Sequence, residues 1–471
     1  MNKCVVTVLS LVLLQQMDAK PFTPMEARKI IESLQQPAVF LNMTHDWTGL
    51  QWTVEHLATV LGGKTLRFRI GKRGARKTPL FETQCSYVEA TVWDFLCWAK
   101  DQGDPSLTPF SNYPVSEFWA YADYKYVAVL LQDKVSMFED VGWSDFGYPG
   151  RNGRESTLWM GTKEANTPCH QDSYGCNLVL QVQGRKKWHL FPPGDTGCLY
   201  PTRIPYEESS VFSQVNVVQP DLQRFAAFSG ARRHIVTLHP GQVLFVPRHW
   251  WHYVESIDPL TVSVNSWIEM EVDDEARVEE ALTRTIVCAL KSAPSNDNKD
   301  EWLNPTEVDA SSHEENLQYL TLAVQKCTDK RKEQRCSAAP SHNSTDSPLW
   351  KRDSRGHLKQ SPGPTAEQQA HNSPVSFGPH LVPVTLDPNH KQRLFCSKTN
   401  QFAIGEPGAG SDEGVEAGRM TGGTDTGRED CVDNTGHKTI STNNLLEALL
   451  HPDIITLVAK LLIDRQADGC P

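Results

Sequence analysis

Two short segments carry the residues best suited to chemistry. The first, Thr167-Pro-Cys-His-Gln-Asp172, places His170 and Asp172 two residues apart. The second, Trp250-Trp-His252, supplies another imidazole far downstream. On a strand, a spacing of two points both side chains to the same face. Two imidazoles and one carboxylate make up the facial ligand set of non-haem Fe(II), which leaves coordination positions open to other molecules. The same donors suit zinc in a hydrolase or a structural site. An isolated His-x-Asp is usually a plain polar cluster, so the neighbouring residues decide its weight.

Those neighbours are ordered. NTPCHQDSYGCNLVLQVQGRKKWHLFPP surrounds the first motif, PGQVLFVPRHWWHYVES surrounds the second, and VSVNSW follows. Lys186 falls in a strand-like run just after Gly184, with parity opposite to Lys187. Burying it would be costly unless an anion met it. Together TPxHxD, GxKxWxLFPP, PGxxLFVPxxWWHxVES and VxVNxW resemble the JmjC-type Fe(II)/2-oxoglutarate oxygenases. The resemblance is to their small cupin-like branch, which includes the asparaginyl hydroxylase that inhibits hypoxia-inducible factor. It covers residues 21–290.

The resemblance implies a double-stranded β-helix (jelly roll) and His170, Asp172 and His252 as iron ligands. Thr167 and Lys186 would hold 2-oxoglutarate, and Asn177 and Asn265 would flank cosubstrate and metal. One departure is an extra residue between Asp172 and Asn177, at Tyr174-Gly175-Cys176. The implied reaction is hydroxylation of a protein side chain. No reader domain, zinc module or basic tail supports histone lysine demethylation. Within the branch, PGRNGRESTLW and WAYADYKY resemble a group linked to stress response and to small heat-shock proteins of the HSP27/HSPB1 type, with alpha-B-crystallin a further candidate. That link leaves an alternative: a scaffold with little or no catalysis that binds small heat-shock proteins.

The elements needed to position these residues are legible as patterns. Residues 24–36 read as a helix with Ala27, Ile30 and Ile31 on one stripe. Residues 37–41 and 65–73 read as strands, and 52–61 and 87–99 as helices. Residues 118–132 carry aromatic residues, with Tyr121, Asp123, Tyr124 and Tyr126 able to vary with substrate. Between 156 and 267, short apolar strands alternate with Gly and Pro turns. Trp188, Trp250, Trp251 and Trp267 suit core packing, and Cys169 and Cys176 suit ordinary burial. Residues 273–292 and 305–325 read as helices.

The expected architecture is mainly β with flanking helices and a disordered C-terminal tail. Residues 1–20 are signal-like or unstructured, and 21–118 form an α/β flank. Residues 119–272 form the β-helix core. Residues 273–329 form a helical extension that caps the barrel or builds a homodimer. Residues 330–440 form a disordered low-complexity linker, and 441–471 an amphipathic helical end broken near His451-Pro452.

Composition narrows the rest. The 471 residues are 39% hydrophobic with a formal charge of -11, and no long basic run appears. Nucleic acid and anionic membranes are therefore not expected partners. Twelve cysteines without a CxxC pair read as reduced thiols and point to the cytoplasm. The apolar stretch Cys4–Leu14 points instead to a secretory signal cleaved near Ala19.

Overall fold

The computed structural model describes residues 19–102, 108–293, 302–305, 310–337, 375–388 and 440–467. The signal-like stretch and most of the low-complexity linker lie outside the described residues. Among the described residues no helix is long and apolar enough to cross a membrane.

Two large antiparallel sheets and flanking helices make a mixed α/β domain. The first sheet has nine strands. These are β1 (Ala38–Phe40), β2 (Thr65–Lys72), β3 (Ser86–Thr91), β4 (Phe118–Tyr126), β5 (Thr157–Thr162), β7 (Cys176–Gln183), β12 (Val243–Val246), β14 (Leu260–Ile268) and β15 (Leu381–Pro383). The second has seven. They are β6 (Asn166–Asp172), β8 (Lys186–Phe191), β9 (Pro201–Glu207), β10 (Ser210–Ser213), β11 (His234–Leu238), β13 (Trp251–Ser256) and β16 (Thr385–Leu386).

Period-two alternation divides the strands between two environments. On β14, Val262, Val264 and Ile268 face the largest apolar cluster, under helices α1 (Pro24–Ser33), α2 (Val54–Leu61) and α3 (Val92–Ala99). Ser263, Asn265 and Trp267 face a cavity on the other side. A second cluster joins Val179, Leu244 and Val246 of the first sheet to Trp188, Leu190 and Val254 of the second, filling the space between them. Gly184 turns β7 into β8 at φ 62°, and a Cβ there would lie 2.2 Å from Leu260 O. Only glycine suits that position.

Three expectations are corrected. The helix read at 87–99 begins at Val92, because Ser86–Thr91 pairs with β2 (Phe68↔Val88, Leu66↔Ala90). Val88 and Ala90 are buried on one side of that strand. Thr91 then starts α3 with a reciprocal cap, accepting from Asp94 N at 3.1 Å and donating to Asp94 Oδ2 at 2.6 Å. The helix read at 305–325 runs instead from His313 to Ser337, with Ser312 and Glu315 forming a similar box ahead of it. Finally, β15 and β16 lie inside the segment expected to lack structure. Leu381 and Val384 are buried there, and Asp387 forms a buried ion pair with Arg233.

The C-terminal end holds two helices, α6 (Thr442–Leu449) and α7 (Pro452–Ala467). Leu446, Leu450 and Ile455 pack with Leu282 and Val287 of α4 (Asp273–Lys291). Ala459 and Ile463 pack with Val278 and with Val324 and Cys327 of α5 (His313–Ser337). These apolar faces of the helical extension are thus filled within one chain. Deleting residues 441–471 uncovers them. Each buried Leu or Ile is worth about 1.5–3 kcal/mol, so the melting midpoint is expected to fall by at least about 5 °C in calorimetry. An unchanged midpoint would refute this docking.

Candidate metal centre

His170 and His252 sit opposite each other on adjacent strands β6 and β13. Each ring is anchored by backbone two residues before it. His170 Nδ1 lies 2.9 Å from Pro168 O, and His252 Nδ1 lies 3.0 Å from Trp250 O. A carbonyl can only accept, so both Nδ1 atoms carry the proton and both Nε2 lone pairs are free. They turn toward Asp172, with His170 Nε2 at 3.4 Å from Oδ1 and His252 Nε2 at 4.0 Å from Oδ2. One donor atom from each of the three residues lies within 4.8 Å of the others. This is a 2-His-1-carboxylate facial triad able to hold a metal ion.

Its electrostatics fit a cation. Burial favours the neutral form of Asp172, but His252 and His170 outweigh it and hold the carboxyl below its usual range. Burial and neighbouring His170 push His252 down to about 4. Burial also opposes charge on His170, yet the Asp172 carboxylate raises it overall. Trp267 Nε1 donates to Asp172 Oδ2 at 3.1 Å, which orients the carboxylate.

A β-bulge completes the constellation. His252 pairs with His170, but Val254 pairs with Thr167, so β6 carries an extra residue between them. Thr167 thereby reaches the same cavity as His170 despite its odd spacing. The cavity, about 40 Å³, is lined by both histidines with Thr167, Asn177, Lys186 and Asn265. Asn265 Nδ2 donates to Asn177 Oδ1 at 2.9 Å, and Trp159 Nε1 donates to Asn265 Oδ1 at 2.7 Å. Gly175 absorbs the longer loop before Asn177 at φ 53°.

Lys186 is 2% exposed. Its Nζ donates to Ser263 Oγ at 2.8 Å and to Tyr121 OH at 3.2 Å. Burial drives its pKa down to about 7, only partly countered by Asp123. Lys187, with the opposite parity, is half-buried on the other face.

The aromatic residues divide by position. Tyr121, Tyr124, Trp188 and Trp267 line the inner cavity, Trp188 also packing in the apolar cluster between the sheets, whereas Trp250 and Trp251 lie in apolar clusters and do not line it. Tyr124 and Trp267 also line an outer mouth of about 620 Å³, together with Asp172 and Tyr126. The triad therefore stands at the neck between mouth and cavity. Asp123 also lines the mouth, and it pairs with buried Arg69 at 2.6 Å. Cys169 and Cys176 are buried, and burial raises both thiols, Cys176 to about 12. Ser263 and Trp159 went unmarked in the sequence; Ser263 shares the parity of Asn265, which was the available signal.

Beside Arg69 and Asp123, burial and then Asp123 raise Glu82 to about 8. Its unfolded value is near 4.5. The stability it supports is complete below that value and lost as pH rises through about 8. Unfolding free energy should fall by a few kcal/mol between about pH 5 and 9, and Glu82→Gln should flatten that decline in denaturant titrations.

Residues 24–274 match a family model described as a cupin-like domain. An HSPB1-associated protein 1 homolog from Danio rerio is 56% identical over 462 residues, covering 96% of this chain and 99% of that protein. HSPB1-associated protein 1 from Rattus norvegicus is 51% identical over 459 residues, covering 95% of each. This chain belongs to the HSPB1-associated protein 1 family. A more distant relative of this family member is lysine-specific demethylase 8 of Xenopus tropicalis, 28% identical over 243 residues, half of this chain and 48% of that protein. The triad and these relatives support an oxygenase-type site of the Fe(II)/2-oxoglutarate class in this member of the HSPB1-associated protein 1 family.

Proposed function

We propose that the chain is an Fe(II)- and 2-oxoglutarate-dependent oxygenase that hydroxylates a protein side chain. The observation that carries this reading is a facial triad whose two histidines share one cavity with a buried amine, Lys186, which donates to the hydroxyls of Tyr121 and Ser263. His170, Asp172 and His252 would hold the metal, with Nδ1 protons fixed so that both Nε2 atoms donate. Lys186 and Thr167 would receive the distal carboxylate of the cosubstrate, while Asn177 and Asn265 would border its metal end. Bound Fe(II) and 2-oxoglutarate would supply oxidative decarboxylation and oxygen transfer to a C–H bond. Tyr124 and Trp267 line both spaces, and in this role they would limit water at the neck and orient the incoming side chain.

The proposal extends to the rest of the molecule. The sheets would form a double-stranded β-helix over residues 119–272, flanked by 21–118 and extended by 273–329. Residues 441–471 would be the amphipathic helical end that covers this extension. The relatives named for association with HSPB1 support a small heat-shock protein of that type as a partner, in the cytoplasm and in stress response.

Adding 2-oxoglutarate to anaerobic protein loaded with Fe(II) should produce a metal-to-ligand charge-transfer band. Folded protein without that band would overturn the oxygenase reading. A small heat-shock protein bound equally by such protein would support the scaffold instead.

A further inference from the structure

The three ligands are not held alike. His170 and His252 lie within paired strands and are braced by backbone carbonyls. Asp172 is the last residue of β6, and its side chain is 19% exposed at the mouth. Its direction depends on Trp267 and on the loop Ser173–Gly175 that follows.

That loop is bound to helix α4. Ser173 Oγ donates to Glu280 Oε1 at 2.7 Å. Ser173 N donates to Ser209 O at 2.9 Å, and Ser209 N donates to Glu280 Oε2 at 3.0 Å. Both carboxylate oxygens thus close one ring of bonds around the residue after Asp172. Gly175 N donates to Asp273 Oδ1 at 3.0 Å, which ties the far end of the loop to the start of the same helix. Arg203 forks onto both oxygens of Glu280, with Nη2 at 2.6 Å from Oε2. Burial opposes charge on Glu280, but Arg203 outweighs it and keeps the carboxylate ionised.

The cupin-like match ends at residue 274, as α4 begins. Asp273 also accepts from Met270 N and Arg248 Nε, which gives it a structural task at the helix start. Glu280 lies beyond the matched region. Its contacts are to Arg203 and to the paired loops that carry Ser173 and Ser209.

We propose that Glu280, supplied by a helix outside the cupin-like domain, is a positioning residue for the metal site: through Ser173 it sets the direction of the Asp172 carboxylate. This rests on the reading of His170, Asp172 and His252 as metal ligands. A geometric requirement follows. Loss of the Ser173 hydroxyl removes its bond to Glu280 while the backbone bonds of Ser173 and Gly175 and the Arg203–Glu280 pair stay intact, so metal affinity changes without removal of a buried charge.

The test uses full-length protein with Co(II) as probe. Outer contacts of this kind are worth about 10–100-fold in metal affinity. Ser173→Ala is expected to raise the Co(II) dissociation constant by about 10-fold and to alter the visible ligand-field spectrum, while the metal-free melting midpoint stays near wild type. Glu280→Gln should weaken binding in the same direction; if burial of Arg203 prevents it from folding, Ser173→Ala decides alone. Wild-type affinity and spectrum in folded Ser173→Ala would overturn the positioning role. Wild-type protein that binds no Co(II) would overturn the metal reading beneath it.

Discussion

Asp172→Ala is expected to abolish ferrous binding while leaving the metal-free fold in place. The carboxylate supplies the single anionic donor of the triad, and the two Nε2 atoms converge on its oxygens. Its loss removes a ligand outright, so affinity should fall by more than the upper end, about 100-fold, of outer-contact changes. The cost to the metal-free fold should be small. Asp172 ends β6 at the mouth, and its polar contacts are the two histidines and Trp267. The two roles separate by thermal shift. A ligand that binds only folded protein stabilises it by about 2.7 kcal/mol at one hundred times its dissociation constant. Saturating Fe(II) or Co(II) should therefore raise the melting midpoint of wild type and leave that of Asp172→Ala unmoved. If metal shifts neither midpoint and the substitution itself destabilises the protein, the trio is a structural polar cluster.

The ligand trio was legible because its spacing is local in effect. The His-x-Asp parity holds on β6, and β13 sets His252 directly opposite. Lys186 was legible for the same reason, since alternation along β8 separates it from Lys187. Thr167 was not legible from parity. It shares the cavity with His170 only through the bulge at Pro168-Cys169, a two-against-one pairing that no period shows. Patterns also failed at Tyr87–Ala99, where strand and helix run together without a Gly or Pro between them. Thr91 serves as both last strand residue and helix cap. Residues 381–386 failed for another reason. Their apolar run, Leu-Val-Pro-Val-Thr-Leu, is short and broken by Pro383, and it pairs by adding edges to sheets built from distant sequence. The clamp on Ser173 joins residues more than a hundred positions apart, and nothing in the sequence around Glu280 announces it.

Lys186→Met should have opposite effects on the empty and the loaded protein. In the empty protein the amine is buried among hydroxyls, with its pKa brought down to about 7 from 10.5. The unfolded chain binds the proton more readily, so stability declines as pH falls from about 10 toward 7. Methionine has similar length and no charge to desolvate. The variant should therefore be more stable than wild type at pH 7, by on the order of 1–3 kcal/mol, with a flatter pH dependence. That gain is reduced by the bonds lost from Tyr121 and Ser263.

In the loaded protein the sign reverses. A carboxylate entering the cavity raises the amine back above neutrality, so wild type should take up a proton when 2-oxoglutarate binds near pH 8. Calorimetry in buffers of different ionisation enthalpy measures that uptake directly. Removing one partner of a buried ion pair costs about 3–5 kcal/mol, which is at least a 100-fold loss of affinity. The Met variant should show neither proton uptake nor tight binding. If it binds 2-oxoglutarate as wild type does, the distal carboxylate lies elsewhere and Lys186 is an internal donor to Tyr121 and Ser263. If it binds weakly but is also less stable when empty, the hydroxyl network rather than desolvation governs this part of the core.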